Sequence, residues 1–197
     1  MVDWLYDTLA QPPVAYLLLF AIAAGDAVIP AFPSESAAIF AGVLAAVEPH
    51  LSLTLVLVAA ASGAFVGDTL SYSLGRFGGR PAQRRFFDGP RMRQAMGWAS
   101  RQLKRRGGLI LIVARFIPGG RTSATFTSGL TGFPYPLFAL YTSVAALLWA
   151  LYAVLLGYFG GRVFHDRPLL ALGLAFALAV GIAFAVEAGR RWVFSKT

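Results

Sequence analysis

The sequence predicts an all-α integral membrane protein built from an inverted repeat, in which each copy contains a re-entrant hairpin and a transmembrane helix. Three observations support this class. The chain is 57% hydrophobic and only 13% charged, with a mean hydropathy of +0.66, which is too apolar for a soluble domain of this size. Long windows carry no charge, and a seven-residue motif occurs twice. Because cysteine is absent, the sequence excludes disulfides and thiolate metal sites.

The uncharged windows define the predicted elements. A helix needs about 20 apolar residues to span a membrane, so several crossings fit within the chain. The elements predicted in chain order are a first re-entrant hairpin over 14–47, a transmembrane helix over 51–75, a basic amphipathic cytoplasmic segment over 76–106, a second re-entrant hairpin over 107–132, a transmembrane helix over 136–160 and an additional C-terminal transmembrane helix over 168–188.

The two hairpins are predicted because prolines and glycines interrupt segments that are otherwise apolar. Pro30 and Pro33 break the first segment, and Pro118, Gly119 and Gly120 break the second. Backbone that turns back at membrane depth must be buried in protein or line a wet cavity. Hairpins from opposite faces would bring their tips together near the midplane. In an alternative topology, residues 9–29 form a full crossing and the N-terminus lies inside.

The repeat is visible as LGRFGGR at residues 74–80 and LGYFGGR at residues 156–162, an offset of 82 residues. A weaker alignment of the preceding segments, with an offset of 86, places Glu35 opposite Arg121 and Phe40 opposite Phe126. A hairpin plus one crossing passes through the membrane an odd number of times. The two copies are therefore expected to be inverted relative to each other.

Basic residues set the predicted orientation. Loops rich in Lys and Arg stay on the cytoplasmic side, and ten of the 17 basic residues fall in one segment: Arg76, Arg80, Arg84, Arg85, Arg91, Arg93, Arg101, Lys104, Arg105 and Arg106. This places the C-terminus in the cytoplasm and the N-terminus outside. The helical spacing of Met92, Met96, Trp98 and Leu103 predicts a segment that lies on the inner leaflet and contacts anionic headgroups. No nucleic-acid partner is expected.

Four charged residues flank the breaks in the predicted hairpins: Asp26, Glu35, Arg115 and Arg121. Charge within hydrocarbon costs several kcal/mol, so such residues are functional candidates. The acids of one tip are expected to meet the arginines of the other. Two guanidiniums beside helix N-termini suit a phosphate or carboxylate. The alternative is that these charges form an ion-pair network that only holds the hairpins together.

Several further residues are secondary candidates for the site. Ser34 or Ser36, and Thr122 or Ser123, are expected to cap the outgoing half-helices. Asp68 shares a helix face with Tyr72, and it is either a third acid lining the pore or, as the sequence favours, a residue at the inner interface near Arg76. Trp149 is expected to pack or to form a cavity wall.

The motif order resembles the DedA family of bacterial membrane proteins, which shares the VTT, or SNARE-associated, domain with eukaryotic lipid scramblases. The motifs are PxxPSE, GDxxxYxxGRxxG, RFIPGGR and a tryptophan followed by GYFGG, and the resemblance covers residues 20–162. The resemblance implies that Asp26, Glu35, Arg115 and Arg121 are functional. The sequence departs from the family in having Asp26 where many relatives have Glu, and SGLTGF where AGxxxM is usual.

The resemblance implies transport of undecaprenyl phosphate or another phospholipid across the bacterial inner (cytoplasmic) membrane. The arginines would hold the phosphate, and the acids would compete for them or take up protons. An alternative is a proton-coupled exporter or antiporter of ions or small cationic compounds, and a third is a non-transporting scaffold. An enzyme is not expected, since no histidine lies near either hairpin and no HExxH or GxSxG motif is present. No cofactor or metal is expected.

Overall fold

A computed structural model of the chain describes residues 12–27, 34–79, 81, 89–117 and 119–163. These residues are helical and contain no strand. The helices are α1 (Pro12–Gly25), α2 (Ser34–Val47), α3 (Leu53–Ser73, continued by a π-helical turn over Leu74–Gly78), α4 (Pro90–Arg106), α5 (Leu109–Arg115), α6 (Gly120–Leu130) and α7 (Tyr135–Val163). The helix predicted over 168–188 lies outside the described residues, as do Pro30, Pro33 and Pro118.

Two helices are long and apolar enough to cross a membrane: α3 with its π-helical turn, and α7. At 26 and 29 residues, they rise about 39 and 43 Å, whereas the hydrocarbon core is about 30 Å thick. Each has a stripe of exposed large apolar side chains at helical spacing: Leu55, Val58, Val66 and Leu70 on α3, and Leu137, Leu140, Val144, Leu147 and Leu148 on α7. Such stripes favour contact with lipid over contact with water.

The shorter helices lie where the hairpins are predicted. α1 and α2 have 14 residues each, or about 21 Å of rise, and α5 and α6 have seven and 11. α1 ends at Gly25, and Asp26 and Ala27 form a turn. α1 therefore ends four residues before residue 29, where the crossing of the alternative topology would end, and the choice between the two topologies stays a prediction.

Contacts between helices define their relative directions. α3 and α7 are antiparallel, because Asp68 meets Thr142 whereas Tyr72, further along α3, meets Phe138 earlier in α7. Two other pairs run parallel, since their contacts advance together along both helices: α1 with α3 (Phe20 with Gly63, Ala24 with Gly67) and α5 with α7 (Gly108 with Tyr141, Arg115 with Trp149). The first helix of each hairpin therefore runs parallel to the long helix that follows it.

Glycines allow α2 to pack closely on α7. A Cβ atom at Gly42 would overlap the carbonyl oxygen of Val154, and one at Gly157 would overlap that of Ile39. Only a glycine permits backbones to approach this closely. α2, from the first predicted copy of the repeat, is therefore packed on α7, the long helix of the second copy.

The same arrangement is found between α6 and α3. A Cβ atom at Gly129 would overlap the carbonyl oxygen of Tyr72, and one at Gly75 would overlap that of Phe126. α6, from the second predicted copy of the repeat, is therefore packed on α3, the long helix of the first copy. Each copy thus packs its hairpin helix on the long helix of the other.

The matching contacts give the spacing between the two segments. Equivalent positions on the long helices are 82 residues apart, as the LGRFGGR and LGYFGGR motifs predict. On the hairpin helices the spacing is 87, because Ile39 occupies the position that Phe126 occupies in the second segment. The predicted offset of 86, which pairs Phe40 with Phe126, is therefore wrong by one residue.

The basic helix α4 packs against protein through the face that was predicted to contact the leaflet. Met96 is buried against Phe126 of α6, Leu103 is buried, and Trp98 packs on the core formed by α5 to α7. The exposed face carries the cations Arg101, Lys104, Arg105 and Arg106. Contact of these cations with anionic headgroups stays a prediction.

Candidate functional site

Four charged side chains from separate segments meet in one place, and we refer to Asp26, Asp68, Arg115 and Arg121 as the charged cluster. Arg115, the last residue of α5, donates from Nη1 to Asp68 Oδ2 at 2.6 Å. Arg121, the second residue of α6, donates from Nη1 to Asp26 Oδ2 at 3.2 Å. Its Nε lies 3.2 Å from Asp68 Oδ1, but the N–H is misaligned and no hydrogen bond forms.

The cluster is closed at one side and more accessible at the other. The side chains of Asp68 and Arg115 are each only 1% exposed. Arg121 is 11% exposed and Asp26 is 19% exposed. Removing charges from water is costly unless they are paired with good geometry. The inner pair is therefore the part of the cluster whose pairing matters most for stability, and the Asp26 side is the more open.

Neighbouring side chains orient the cluster. Thr142 Oγ1 donates to Asp68 Oδ2 at 3.1 Å, and Ser34 Oγ donates to Asp26 Oδ2 at 2.5 Å. The Arg115 guanidinium lies 5.1 Å from the centre of the Trp149 ring, a cation–π distance. Trp149 therefore forms a wall of the cluster, which is one of the two roles predicted for it. Thr142 was not predicted, although it lies seven residues before Trp149 and hence on the same face of α7.

Both arginines retain donors without an acceptor among the described residues. These are Nε and Nη2 of Arg115 and Nε and Nη2 of Arg121, all buried. Asp68 Oδ1 is likewise buried and without a hydrogen bond. A guanidinium has five N–H donors and buried polar groups are normally satisfied. The cluster therefore has the donors to bind an additional anion.

Asp68 lies in the cluster and not at the inner interface, so the placement that the sequence favoured is wrong. It is fully buried on α3 and contacts both arginines. Arg76, its predicted neighbour, is exposed two turns further along. The sequence favoured an interface because Arg76 lies close to Asp68 in the chain. The arginines that contact Asp68 lie much further along the chain, by 47 and 53 residues.

Glu35 is separate from the arginines. It is the second residue of α2, is exposed, and is hydrogen-bonded to Tyr152 of α7. Within the described part of the chain it forms no ion pair with Arg115 or Arg121. The predicted meeting of acids from one hairpin with arginines from the other is therefore confirmed for Asp26 and is wrong for Glu35.

The helix cap predicted for α6 is not formed. α6 begins at Gly120, and Gly119, with φ of +70°, precedes it without a side-chain cap. Thr122 and Ser123 are buried inside the first turn, where Ser123 Oγ donates to the carbonyl oxygen of Gly119 at 2.6 Å. Ser34 is the first residue of α2 and donates to Asp26. Ser36 is half-buried and is not part of the charged cluster.

Tyr72 lies one turn beyond Asp68, outside the cluster. Its hydroxyl donates to the carbonyl oxygen of Phe133 at 2.6 Å, and its ring centre is 4.4 Å from that of Phe138. Tyr72 thus connects α3 to the turn before α7. Among the residues that the structure describes, no group of three or more His, Cys, Asp or Glu side chains is placed to hold a metal ion.

Comparison with known proteins identifies the family. The model of the VTT domain matches residues 32–159, a range that contains Asp68, Arg115 and Arg121. The protein DedA of Escherichia coli K12 is 33% identical over 169 residues, which cover 81% of this chain and 70% of DedA. The chain belongs to the DedA family.

Other relatives are also membrane proteins. An uncharacterised membrane protein of Synechocystis is 33% identical over 163 residues, covering 81% of this chain and 73% of that protein. The inner membrane protein YohD of E. coli K12 is 30% identical over 122 residues, covering 62% of each. No solved structure matches the chain significantly. The resemblance found in the motifs is confirmed, and the chain is a bacterial membrane protein.

Proposed function

We propose that this member of the DedA family is a transporter, not an enzyme, and that it moves a lipid phosphate such as undecaprenyl phosphate or a phospholipid across the cytoplasmic membrane. One observation carries the proposal. Arg115, which is buried, and Arg121, which is 11% exposed, both lie beside the carboxylate of Asp68, and together they keep four donor nitrogens without a hydrogen-bond acceptor among the described residues. A network that served only to clamp helices would be expected to satisfy its own donors.

The chemistry of the donors favours phosphate. Guanidinium groups bind phosphate oxygens through parallel, charge-assisted hydrogen bonds. Two such groups beside each other offer donors to more than one oxygen of the same headgroup. Access is from the side of Asp26, the most exposed member of the cluster. The apolar stripes of α3 and α7 are exposed and suit contact with lipid. The lipid tails therefore stay in the bilayer while the headgroup binds the arginines.

The proposed architecture is an inverted repeat of re-entrant hairpins and transmembrane helices. It is supported by the antiparallel directions of the two long helices. It is supported further by the reciprocal glycine contacts of α2 with α7 and of α6 with α3. Helices as short as α5, with seven residues, rise only about 10 Å, so the hairpins enter the membrane and turn back. In inverted repeats the substrate site lies near the midplane, between the copies, which is where this proposal places the charged cluster.

Charge balance links transport to protons. With both acids ionised, Asp26 and Asp68 neutralise Arg115 and Arg121. A phosphate bound by the arginines adds at least one negative charge to a buried site, which is unfavourable at low dielectric. Uptake of a proton by one carboxylate restores neutrality. Asp26 pairs with Arg121, so it competes with the phosphate for that arginine.

One observation favours the second candidate, a proton-coupled exporter or antiporter of ions or small cationic compounds. Glu35 is exposed and hydrogen-bonded to Tyr152, and no arginine among the described residues neutralises it. An acid without a cationic partner can bind a cation and exchange it for a proton. The arginines have no role in such a mechanism, and for this reason lipid phosphate is the preferred substrate.

Reconstitution into proteoliposomes separates the two candidates. Leaflet exchange of fluorescently labelled phospholipid and of undecaprenyl phosphate is measured beside cation flux driven by a pH gradient. We expect the wild-type protein to accelerate lipid exchange above protein-free vesicles. Unchanged lipid exchange together with proton-driven cation flux would overturn the lipid proposal and select the exporter.

A further inference from the structure

A second feature of the fold is a cavity of about 370 Å³ at the C-terminal end of α3, separate from the charged cluster. It lies where α3 changes into the π-helical turn Leu74–Gly78 and where α6 turns into α7. Thr69, Arg76, Phe77, Phe133 and Tyr135 are among its lining residues. π-Helical turns within helices are frequent at functional sites, and this one contributes Arg76 and Phe77 to the wall of the cavity.

The cavity has a cation directed across it. Arg76 is exposed, and its Nη1 lies 2.7 Å from the position that a Cβ atom would take at Gly132. Gly132 has φ of +72°, a conformation that glycine adopts without strain. The turn between α6 and α7 therefore leaves the guanidinium room that a side chain at residue 132 would occupy.

The walls combine a polar group with aromatic surface. Thr69 lines the cavity, and its buried hydroxyl makes no hydrogen bond with any described residue. Tyr72 and Tyr135, also in the lining, have ring centres 5.6 Å apart. A cation and a hydroxyl beside aromatic walls suit an amphiphile that has an anionic head.

The repeat shows that only one copy has this cation. The motifs LGRFGGR and LGYFGGR differ at a single position, which is Arg76 in the first copy and Tyr158 in the second. Tyr158 instead lies against Arg162, whose Cζ is 5.6 Å from the ring centre. The two copies therefore differ at the position that lines the cavity, which is Arg76 in the first copy.

We propose that this cavity binds the phosphate-bearing headgroup of a lipid, with Arg76 as the cation and Thr69 as a hydroxyl donor. The basic residues that follow α3 assign this end to the cytoplasm. Arg76 is eight residues from Asp68, or about 12 Å along the helix. The cavity is thus a cytoplasmic docking site for a headgroup on its way to or from the charged cluster; this role in transport rests on the proposed function, whereas binding does not.

Native mass spectrometry of the full chain in detergent tests the proposal. Bound phosphatidic acid, phosphatidylcholine and inorganic phosphate are counted for the wild type, for Arg76→Gln and for the control Arg162→Gln, which removes an exposed arginine from the second copy. We expect Arg76→Gln to weaken phosphatidic acid binding about tenfold, with Arg162→Gln unchanged. Equal losses in both variants, or none, would overturn the cavity site.

Two further measurements distinguish the remaining outcomes. Thr69→Val keeps the shape of the side chain and is expected to weaken phosphatidic acid binding by a smaller factor, with an unchanged melting temperature. If inorganic phosphate binds in an Arg76-dependent manner and phosphatidic acid does not, the lipid source is wrong. Leaflet exchange is then measured with the same proteins. Absent exchange in wild type with Arg76-dependent binding contradicts the proposed function alone, and normal exchange with Arg76-independent binding contradicts the cavity site alone.

Discussion

Asp68 joins its own helix to three others at the charged cluster. Its carboxylate accepts from Arg115 at 2.6 Å and from Thr142 at 3.1 Å, and it lies beside Arg121. Three segments of the chain are therefore joined through one buried side chain. Removing one partner of a buried ion pair leaves an uncompensated charge, which costs about 3–5 kcal/mol.

We predict that Asp68→Asn lowers the free energy of unfolding by about 3–5 kcal/mol, since Arg115 keeps its charge and loses its partner. Thermal unfolding in detergent measures the change. Asp26→Asn is the matched control and is expected to cost less, because Asp26 is 19% exposed and water can solvate Arg121. A larger loss for Asp26→Asn than for Asp68→Asn would contradict this ordering.

Glu35 separates a transport role from a structural one. It is exposed and is hydrogen-bonded to Tyr152. We predict that Glu35→Gln changes the unfolding free energy by no more than about 0.5 kcal/mol and leaves the rate of leaflet exchange unchanged, because among the described residues Glu35 forms no ion pair with Arg115 or Arg121. Loss of proton-driven cation flux in this variant would instead support the exporter. If the variant unfolds as readily as Asp68→Asn, the charged residues hold the hairpins together and the transport interpretation of Glu35 fails.

At the scale of helices, the glycine contacts define how the two halves pack. We predict that Gly157→Ala and Gly75→Ala destabilise the fold by similar amounts, about 1–3 kcal/mol, because each added methyl group would overlap a backbone carbonyl oxygen. The control is Gly97→Ala on α4, where the nearest atom is the end of the Arg101 side chain at 3.5 Å.

Gly97→Ala is expected to be neutral or to stabilise by up to about 1 kcal/mol, because alanine is the better helix former. Melting temperatures of the three variants provide the comparison. Strong destabilisation by Gly157→Ala beside a neutral Gly75→Ala would contradict the reciprocal packing of the two copies.

The elements themselves were predictable from the sequence, and their side-chain contacts were only partly so. Uncharged windows and the repeated motif predict helices over 51–75 and 136–160, and the structure has helices over Leu53–Gly78 and Tyr135–Val163. Hydrophobic length and proline position are local properties, which explains this agreement. A meeting of Asp26 with the arginines of the other hairpin was also predicted, because opposite charges at facing breaks attract, but the sequence did not specify that its partner is Arg121.

The predictions are wrong where contacts between residues distant in the sequence determine the partner of a side chain. The sequence cannot show that α3 presents Asp68 to arginines about 50 positions away, so its nearest cation in the sequence was misleading. Glu35 was grouped with Asp26 by proximity in the chain, and the two carboxylates do interact electrostatically, but Glu35 is hydrogen-bonded to Tyr152 of α7 and does not pair with an arginine. The caps were misplaced because α6 begins at Gly120, before Thr122 and Ser123. Helix start and face depend on contacts that no local pattern encodes.

At the scale of the whole molecule, the proposed inverted repeat makes a prediction about sidedness. The chain has no cysteine, so single cysteines report position without interference. Ser52 lies between α2 and α3, and Lys104 lies near the end of α4; both are exposed. We predict that a membrane-impermeant thiol reagent added to intact cells labels Ser52→Cys but labels Lys104→Cys only after the membrane is opened. Labelling of both from the outside would contradict the topology.

The central claim is that the two arginines bind the phosphate of the transported lipid. The most direct measurement is the rate of leaflet exchange of labelled lipid phosphate in proteoliposomes containing wild type, Arg121→Lys or the control Arg162→Lys. Lysine keeps the charge but cannot form the bidentate guanidinium contacts. We predict a rate about 10- to 100-fold lower for Arg121→Lys and an unchanged rate for Arg162→Lys. A fully active Arg121→Lys protein would contradict it.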